Sequence, residues 1–198
     1  MVITDIVKIK RSNRYEVYAD GELLTVLSDF GVVDCRIKLG AEVDTIMLER
    51  IEEAKKDDAY NTLMRSLSVS GTTVFRAKRK LRDKGVPEEY VEYAINKAIE
   101  NNYLNDEEYA RNYVLYTRAK SGMRIRYDLS ERGVSSKILD KVLEDFDEEA
   151  ACFEAVDRTL RGPLEDNELK KYFAKLCNQG FPYDLVKRTY ERYVEEHF

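Results

Sequence analysis

Histidine is almost missing from this chain. The one copy is His197, next to the last residue. That leaves little room for imidazole-based triads or histidine metal sites, and His197 is expected to lie on a frayed tail. Three prolines and nine glycines in 198 residues argue against an all-β fold. Cys35, Cys152 and Cys177 are odd in number and far apart. They fit neither a zinc site nor a disulfide framework and read as buried, reduced thiols. No apolar run approaches the ~18 residues of a membrane span, and the first residues lack a secretory-signal pattern. The chain therefore reads as soluble and cytoplasmic, with no membrane partner. Neither a dinucleotide fingerprint nor a P-loop occurs. Asp57-Asp58 and Asp106-Glu107-Glu108 read as acids at helix starts rather than as metal ligands. No enzyme, metal, cofactor or small-molecule substrate is expected.

What the chain has is charge and apolar periodicity. Charged residues make up 36%, which suits exposed helices, and 43% hydrophobic residues suffice for a core. The net charge of −5 does not announce nucleic-acid binding, but the charge is uneven. Residues 72–84 carry six basic side chains against one acid, and residues 147–168 carry eight acids against two arginines. Such a chain can show a basic face while being acidic overall.

One pattern recurs three times. Leu81 is followed by Gly85, Val86 and Pro87, then by Tyr90 and Val91. Leu129, Gly133, Val134, Ser135, Ile138 and Leu139 repeat the order, as do Leu176, Gly180, Phe181, Pro182, Leu185 and Val186. The glycines are 48 and 47 residues apart, a spacing that marks a structural repeat. Each copy reads as a helix that ends at a left-handed glycine, followed by a helix opened by Pro or Ser.

In chain order, residues 1–44 read as an N-terminal β-hairpin or meander with a linker. Arg11 to Arg14 form a turn, and Asp20-Gly21 is a two-residue hairpin signal. Residues 28–44 could hold a short helix that stops at Leu39-Gly40. From residue 45 a helical stripe runs through Met47, Leu48, Ile51, Ala54, Ala59, Leu63 and Leu67, with a break near Asp57-Asp58. The domains predicted are repeat 1 over 45–103, repeat 2 over 104–146 and repeat 3 over 147–198. Asn105 with Glu108 fits a capping box. The fold class is mainly α: three tandem three-helix repeats in an elongated, curved array, preceded by a small antiparallel sheet. Most tyrosines on the helical stripes, such as Tyr90, Tyr109, Tyr113 and Tyr172, read as core.

Aligned on the repeat leucine, the residue five before it is Arg76, Arg124 or Lys171. The residue four before is Ala77, Ile125 or Tyr172, all expected inward. The residue three after is Lys84, Arg132 or Gln179. Arg79, Lys80, Arg118 and Arg126 extend this basic set. A row of cations suits a phosphate backbone or an acidic protein groove; solvated helix faces, with cations near helix C-termini, account for it equally well.

These residues, as an ordered set, resemble the RecX family, regulators of the RecA recombinase. The resemblance rests on Tyr15-Glu-Val, Asp20-Gly-Glu22, Lys80-Leu81 with Lys84-Gly85, and Asn102-Tyr-Leu-Asn-Asp106 with Tyr109-Ala110. It continues through Lys120-Ser-Gly, Arg124-Ile125, Leu129, Arg132-Gly133-Val134 and the closing Leu176, Gly180-Phe181 and Leu185. It implies a non-enzymatic monomer that binds RecA and lies in the groove of its filament on single-stranded DNA, inhibiting or modulating ATP hydrolysis and strand exchange. DNA repair, homologous recombination and the SOS response would be its setting, and weak direct DNA binding is compatible with it. The segment Ser70, Gly71, Thr72, Thr73 to Arg76 departs from the family pattern, which bears on any partner contact there. The rival readings are a helical-repeat nucleic-acid binder acting without RecA and, more remotely, an enzyme.

Overall fold

The computed structural model describes residues 1–68 and 71–198. Ser70, part of the segment singled out above, lies outside the described residues. Among those described, a three-stranded antiparallel sheet of order β1-β2-β3 precedes ten helices. The chain is thus mainly α with an N-terminal sheet. It divides into two compact units, residues 1–72 with 77–104, and residues 73–76 with 105–198.

The first unit begins with β1 (Ile3–Lys8), β2 (Arg14–Ala19) and β3 (Glu22–Ser28). Ala19 pairs with Glu22 across Asp20 and Gly21, both at positive φ (49° and 85°). That is the two-residue hairpin turn the sequence signals. The inward face of the sheet buries Ile3, Val17, Ala19 and Leu27 against Cys35, Ile37, Ile51 and Ala54. A small sheet needs its hydrophobic face covered to be stable; here it packs on α1 (Asp29–Asp34) and α2 (Thr45–Leu67). Burial pushes the Cys35 thiol pKa up, with Asp34 adding to the effect.

Three expectations need correction here. The short helix ends at Asp34, and Cys35 caps it; Gly40 turns the chain later, at φ 78°. α2 is continuous through Asp57 and Asp58, so these acids mark neither a break nor a helix start. Asp58 stays inside the helix because its carboxylate accepts hydrogen bonds from Ser28, at 2.9 Å from the amide and 2.6 Å from the hydroxyl. Asp57 lies 3.6 Å from Lys97 Nζ. α2 packs on α4 (Glu88–Glu100), where Tyr90, Val91, Ala94, Ile95 and Ala98 are buried.

The second unit holds α5 (Asp106–Tyr116), α6 (Gly122–Ser130), α7 (Ser136–Val142), α8 (Glu148–Thr159), α9 (Asp166–Asn178) and α10 (Tyr183–His197). Asn105 caps α5 by accepting from the Glu108 amide at 3.0 Å, as its spacing predicts. Ala110, Ile125, Leu129, Val134 and Leu139 form one core cluster. A second is built on Cys152, Val156, Leu176, Val186 and Tyr193. His197 is not on a frayed tail: α10 reaches it, and its ring stacks on Tyr193 with centroids 4.1 Å apart. Cys152 is buried and Cys177 half-buried.

The helix–glycine–helix element occurs as α3–α4, α6–α7 and α9–α10, where α3 is Val74–Asp83. Gly85, Gly133 and Gly180 have φ of 74°, 81° and 95°, a region that costs any residue with a Cβ. Each turn closes alike: Val86, Val134 and Phe181 return their amides to the carbonyls of Leu81, Leu129 and Leu176 at 3.1, 3.1 and 3.3 Å. These are the two-bond helix ends of the Schellman type. The three leucines are almost wholly buried, so truncating any one to Ala should cost about 2–5 kcal/mol. Of the residues expected inward before them, Ala77 and Ile125 are buried, and Tyr172 is half-buried against the core with its hydroxyl 2.8 Å from Thr159.

Candidate partner interface

The second unit is fastened by two clasps of one design. Thr73 opens α3: its hydroxyl oxygen accepts from the Arg76 amide at 3.3 Å and its proton goes to the Arg132 carbonyl at 2.5 Å. Ser121 opens α6: it accepts from the Arg124 amide at 3.0 Å and donates to the Gln179 carbonyl at 2.7 Å. Both side chains are fully buried. The first helical amide is also claimed, Val74 by Asp106 at 2.8 Å and Gly122 by Glu148 at 2.9 Å. The acceptor carbonyl in each clasp belongs to the residue before a turn glycine. Burial raises the Asp106 carboxyl pKa, and the bond from Val74 offsets this only in part.

This arrangement gives the basic positions different duties. In the first unit Arg79, Lys80 and Lys84 are exposed and have no ion-pair partner among the described residues. Their neighbours Lys78 and Arg82 are engaged, Lys78 with Glu92 at 2.5 Å and Arg82 with Glu88. In the second unit Arg76 and Lys171 are exposed and likewise have no ion-pair partner among the described residues. Arg124 Nε lies 3.1 Å from Asp128, and Arg126 lies 2.7 Å from Asp140. Arg118 donates to the Leu115 carbonyl at 3.3 Å. Arg132 is half-buried, with its guanidinium 4.4 Å above the Tyr113 ring and bonded to the Tyr109 hydroxyl at 2.5 Å. Its side chain is held as packing, and its carbonyl as part of a clasp.

A side-chain triad organises the surface around Arg124. Asp128 accepts from Lys120 at 2.7 Å and from the Tyr113 hydroxyl at 2.8 Å. Burial works against the charge on both Lys120 and Asp128, but the hydrogen bonds to each other and to Tyr113 outweigh it. Lys120 is held above, and Asp128 below, its ordinary pKa. The triad fixes one wall of a cleft of about 590 Å³ lined by Tyr116, Lys120, Arg124, Arg158 and Gln179. Tyr116 is 80% exposed and Met123 69% exposed, and Leu115 and Tyr127 are also open to solvent. Arg124 lies over the Tyr127 ring at 5.5 Å. Exposed aromatics and Met beside arginines have the composition of an interface centre.

No family model matches the chain. A protein named regulatory protein RecX from Caldanaerobacter subterraneus subsp. tengcongensis is 31% identical over 96% of this chain and 98% of its own length. The chain belongs to the RecX family. A RecX of the same name from Clostridium perfringens strain 13 is 32% identical over 98% of this chain and 99% of its own. A crystal structure of regulatory protein RecX superposes with a TM-score of 0.62 at 24% identity, covering 96% of this chain and 98% of that one. RecX from Lactobacillus salivarius gives 0.58 at 24% identity over 70% of this chain and 96% of that one. Among the described residues of this RecX chain, no helix is long and apolar enough to cross a membrane.

Within the RecX chain, two features escaped sequence reading. The clasps had a faint signal, since Thr73 and Ser121 each stand eight residues before a repeat leucine. The exposed apolar surface near the cleft had none, because Tyr116, Met123 and Tyr127 sit among residues that pack inward.

Proposed function

We propose that this chain regulates the RecA recombinase. It binds RecA and the groove of the RecA filament on single-stranded DNA, and it inhibits or modulates ATP hydrolysis and strand exchange without catalysing a reaction itself. The observation that carries this reading is the match, along nearly the whole chain, to proteins named regulatory protein RecX. The surface supports it: exposed Tyr116, Met123 and Tyr127 beside Arg118 and Arg124 can anchor a protein groove, and Arg76, Arg79, Lys80 and Lys84 can face phosphate or acidic side chains. The helices serve as three units, 45–103, 104–146 and 147–198, acting as a cytoplasmic monomer.

The test is RecA ATP hydrolysis on single-stranded DNA, titrated with this chain at substoichiometric ratios. A fall in turnover well below one chain per RecA supports action on the filament. Charge reversal at Arg124 and Arg126, with the melting temperature checked because Arg126 also pairs with Asp140, should weaken inhibition. Unchanged inhibition would remove this face from the contact. No effect of the unaltered chain, and no co-sedimentation with filaments, would overturn the reading.

Exposed Tyr116 and Tyr127 beside arginines also fit base stacking on single strands, the basis of a second reading as a nucleic-acid binder independent of RecA. That reading requires tight binding to bare DNA with a steep salt dependence.

A further inference from the structure

Two of the three glycine turns are covered by a capped helix start, and the third is open. A Cβ at Gly133 would meet Phe75 at 2.3 Å, and one at Gly180 would meet the Ser121 hydroxyl at 2.3 Å. A Cβ at Gly85 would meet nothing within 4 Å among the described residues. The Lys84 carbonyl, counterpart of the clasped Arg132 and Gln179 carbonyls, receives no hydrogen bond among the described residues.

The first unit holds half of a clasp. Ser28 caps α1, as Thr73 and Ser121 cap their helices, and its amide goes to a carboxylate, Asp58. Its hydroxyl proton is also taken by Asp58, at 2.6 Å, and never reaches the turn. Between Ser28 and Gly85 lies a cavity of about 920 Å³, walled in part by Arg14, Asp58, Arg65 and Lys84. Thr25 lines it as well, is 5% exposed, and has a hydroxyl with no hydrogen-bond partner among the described residues. Among the described residues Arg11, Arg14, Arg65 and Lys84 on its wall form no ion pair, and of the three acids Asp29, Asp58 and Glu89, Asp58 is occupied by Ser28. The cavity therefore offers an acceptor carbonyl, an unused hydroxyl and an excess of cations.

We propose that this cavity docks the acidic first turn of a Ser- or Thr-capped helix belonging to a protein partner. The partner's cap hydroxyl donates to the Lys84 carbonyl, as Thr73 does to Arg132, and carboxylates in its first turn meet Arg14 and Arg65. A nucleic-acid backbone fits less well, because its phosphodiesters bring no donor for the open carbonyl. The proposal goes beyond recombinase regulation and concerns the first unit, apart from the Arg124 cleft.

The probe is an acetylated, lactam-locked helical peptide beginning Ser-Pro-Glu-Glu, labelled with fluorescein and titrated with the full chain by anisotropy. Saturable binding is expected. Ser→Ala in the peptide, and Arg65→Glu or Gly85→Asn in the chain, should each weaken it about tenfold, as expected for one lost hydrogen bond or charged contact. Asn tolerates positive φ better than other residues with a Cβ, so Gly85→Asn should melt only slightly below wild type and stay folded; Arg65→Glu tests the site without touching the turn. No saturation up to about 1 mM, the weak end of recognition, would overturn the proposal, as would affinity indifferent to both chain substitutions. So would a single-stranded oligonucleotide that binds in place of the peptide and is weakened by those same substitutions. The peptide assay contains no RecA, so failure here leaves the filament reading standing, and failure of the filament assay leaves this one standing.

Discussion

Thr73 passes its hydroxyl proton to the carbonyl of Arg132, 59 residues further along the chain, while its oxygen holds the Arg76 amide. One buried side chain thus ends the orphan state of a helix start and of a turn carbonyl together. Thr73→Val keeps the shape and removes both bonds. It should lower stability by about 1–3 kcal/mol, the cost of buried polar groups left without partners. Thr73→Ser should recover most of that. Urea unfolding of the three chains measures the difference; equal midpoints for wild type and Thr73→Val would show the clasp to be energetically idle.

The three turn glycines share a backbone and differ in surroundings, so one substitution separates two costs. Gly85→Ala carries only the positive-φ strain, about 1 kcal/mol. Gly133→Ala adds a clash with Phe75 Cβ, and Gly180→Ala drives a methyl into the Ser121 clasp. Both should cost about 3 kcal/mol or more. Thermal melts should rank Gly85→Ala well above the other two.

The Lys120–Asp128 pair sets a pH window. Asp128 is held below its ordinary carboxyl value of 3.8, so its contribution is present above that value and lost as pH falls through the lower, folded-state value. Lys120 is held above its ordinary 10.5, so its contribution is intact below that and lost as pH rises past the folded-state value. Asp128→Asn should therefore destabilise the chain near neutral pH, and the gap from wild type should close in strong acid. A gap independent of pH would assign the loss to packing.

Asp106 titrates the other way. Its carboxyl is held above 3.8 mainly by burial, so ionising it on raising the pH costs the fold some stability. Asp106→Asn keeps an acceptor for the Val74 amide and removes the buried charge. It should be neutral or stabilising at neutral pH, whereas Asp106→Ala should cost about 1–3 kcal/mol for the abandoned amide. Denaturation midpoints of both variants decide the matter.

Thr25 offers a gain. Its hydroxyl is buried without a partner among the described residues, and Thr25→Val replaces it with a methyl of the same outline. Stability should rise by about 1 kcal/mol, read as a higher melting temperature.

Local rules with a single answer were legible in the sequence. Gly85, Gly133 and Gly180 announced left-handed turns because few other residues go there. Asp20-Gly21 announced a hairpin, and Asn105 with Glu108 announced a cap. What stayed illegible depends on partners distant in sequence. Asp58 looked like a helix break, since an acid mid-stripe is unfavourable until Ser28, 30 residues earlier, supplies two donors. Arg132 looked like Arg124, one more cation on a helix, until Tyr109 and Tyr113 claimed it. Gly40 resembled a helix stop because a glycine after Leu looks the same wherever it stands. Within the basic set, spacing picked out Arg76, Arg124 and Lys171 together but not which of them an acid neutralises: Arg124 faces Asp128, while Arg76 and Lys171 have no ion-pair partner among the described residues.

The clasps also have a direction in time. A ribosome delivers Thr73 well before Arg132, and Ser121 58 residues before Gln179. At about 5–20 residues per second, each hydroxyl waits roughly 3–12 s for the carbonyl it will hold. A nascent chain halted between residues 121 and 132 has therefore made the donors of both fastenings and the acceptor of neither.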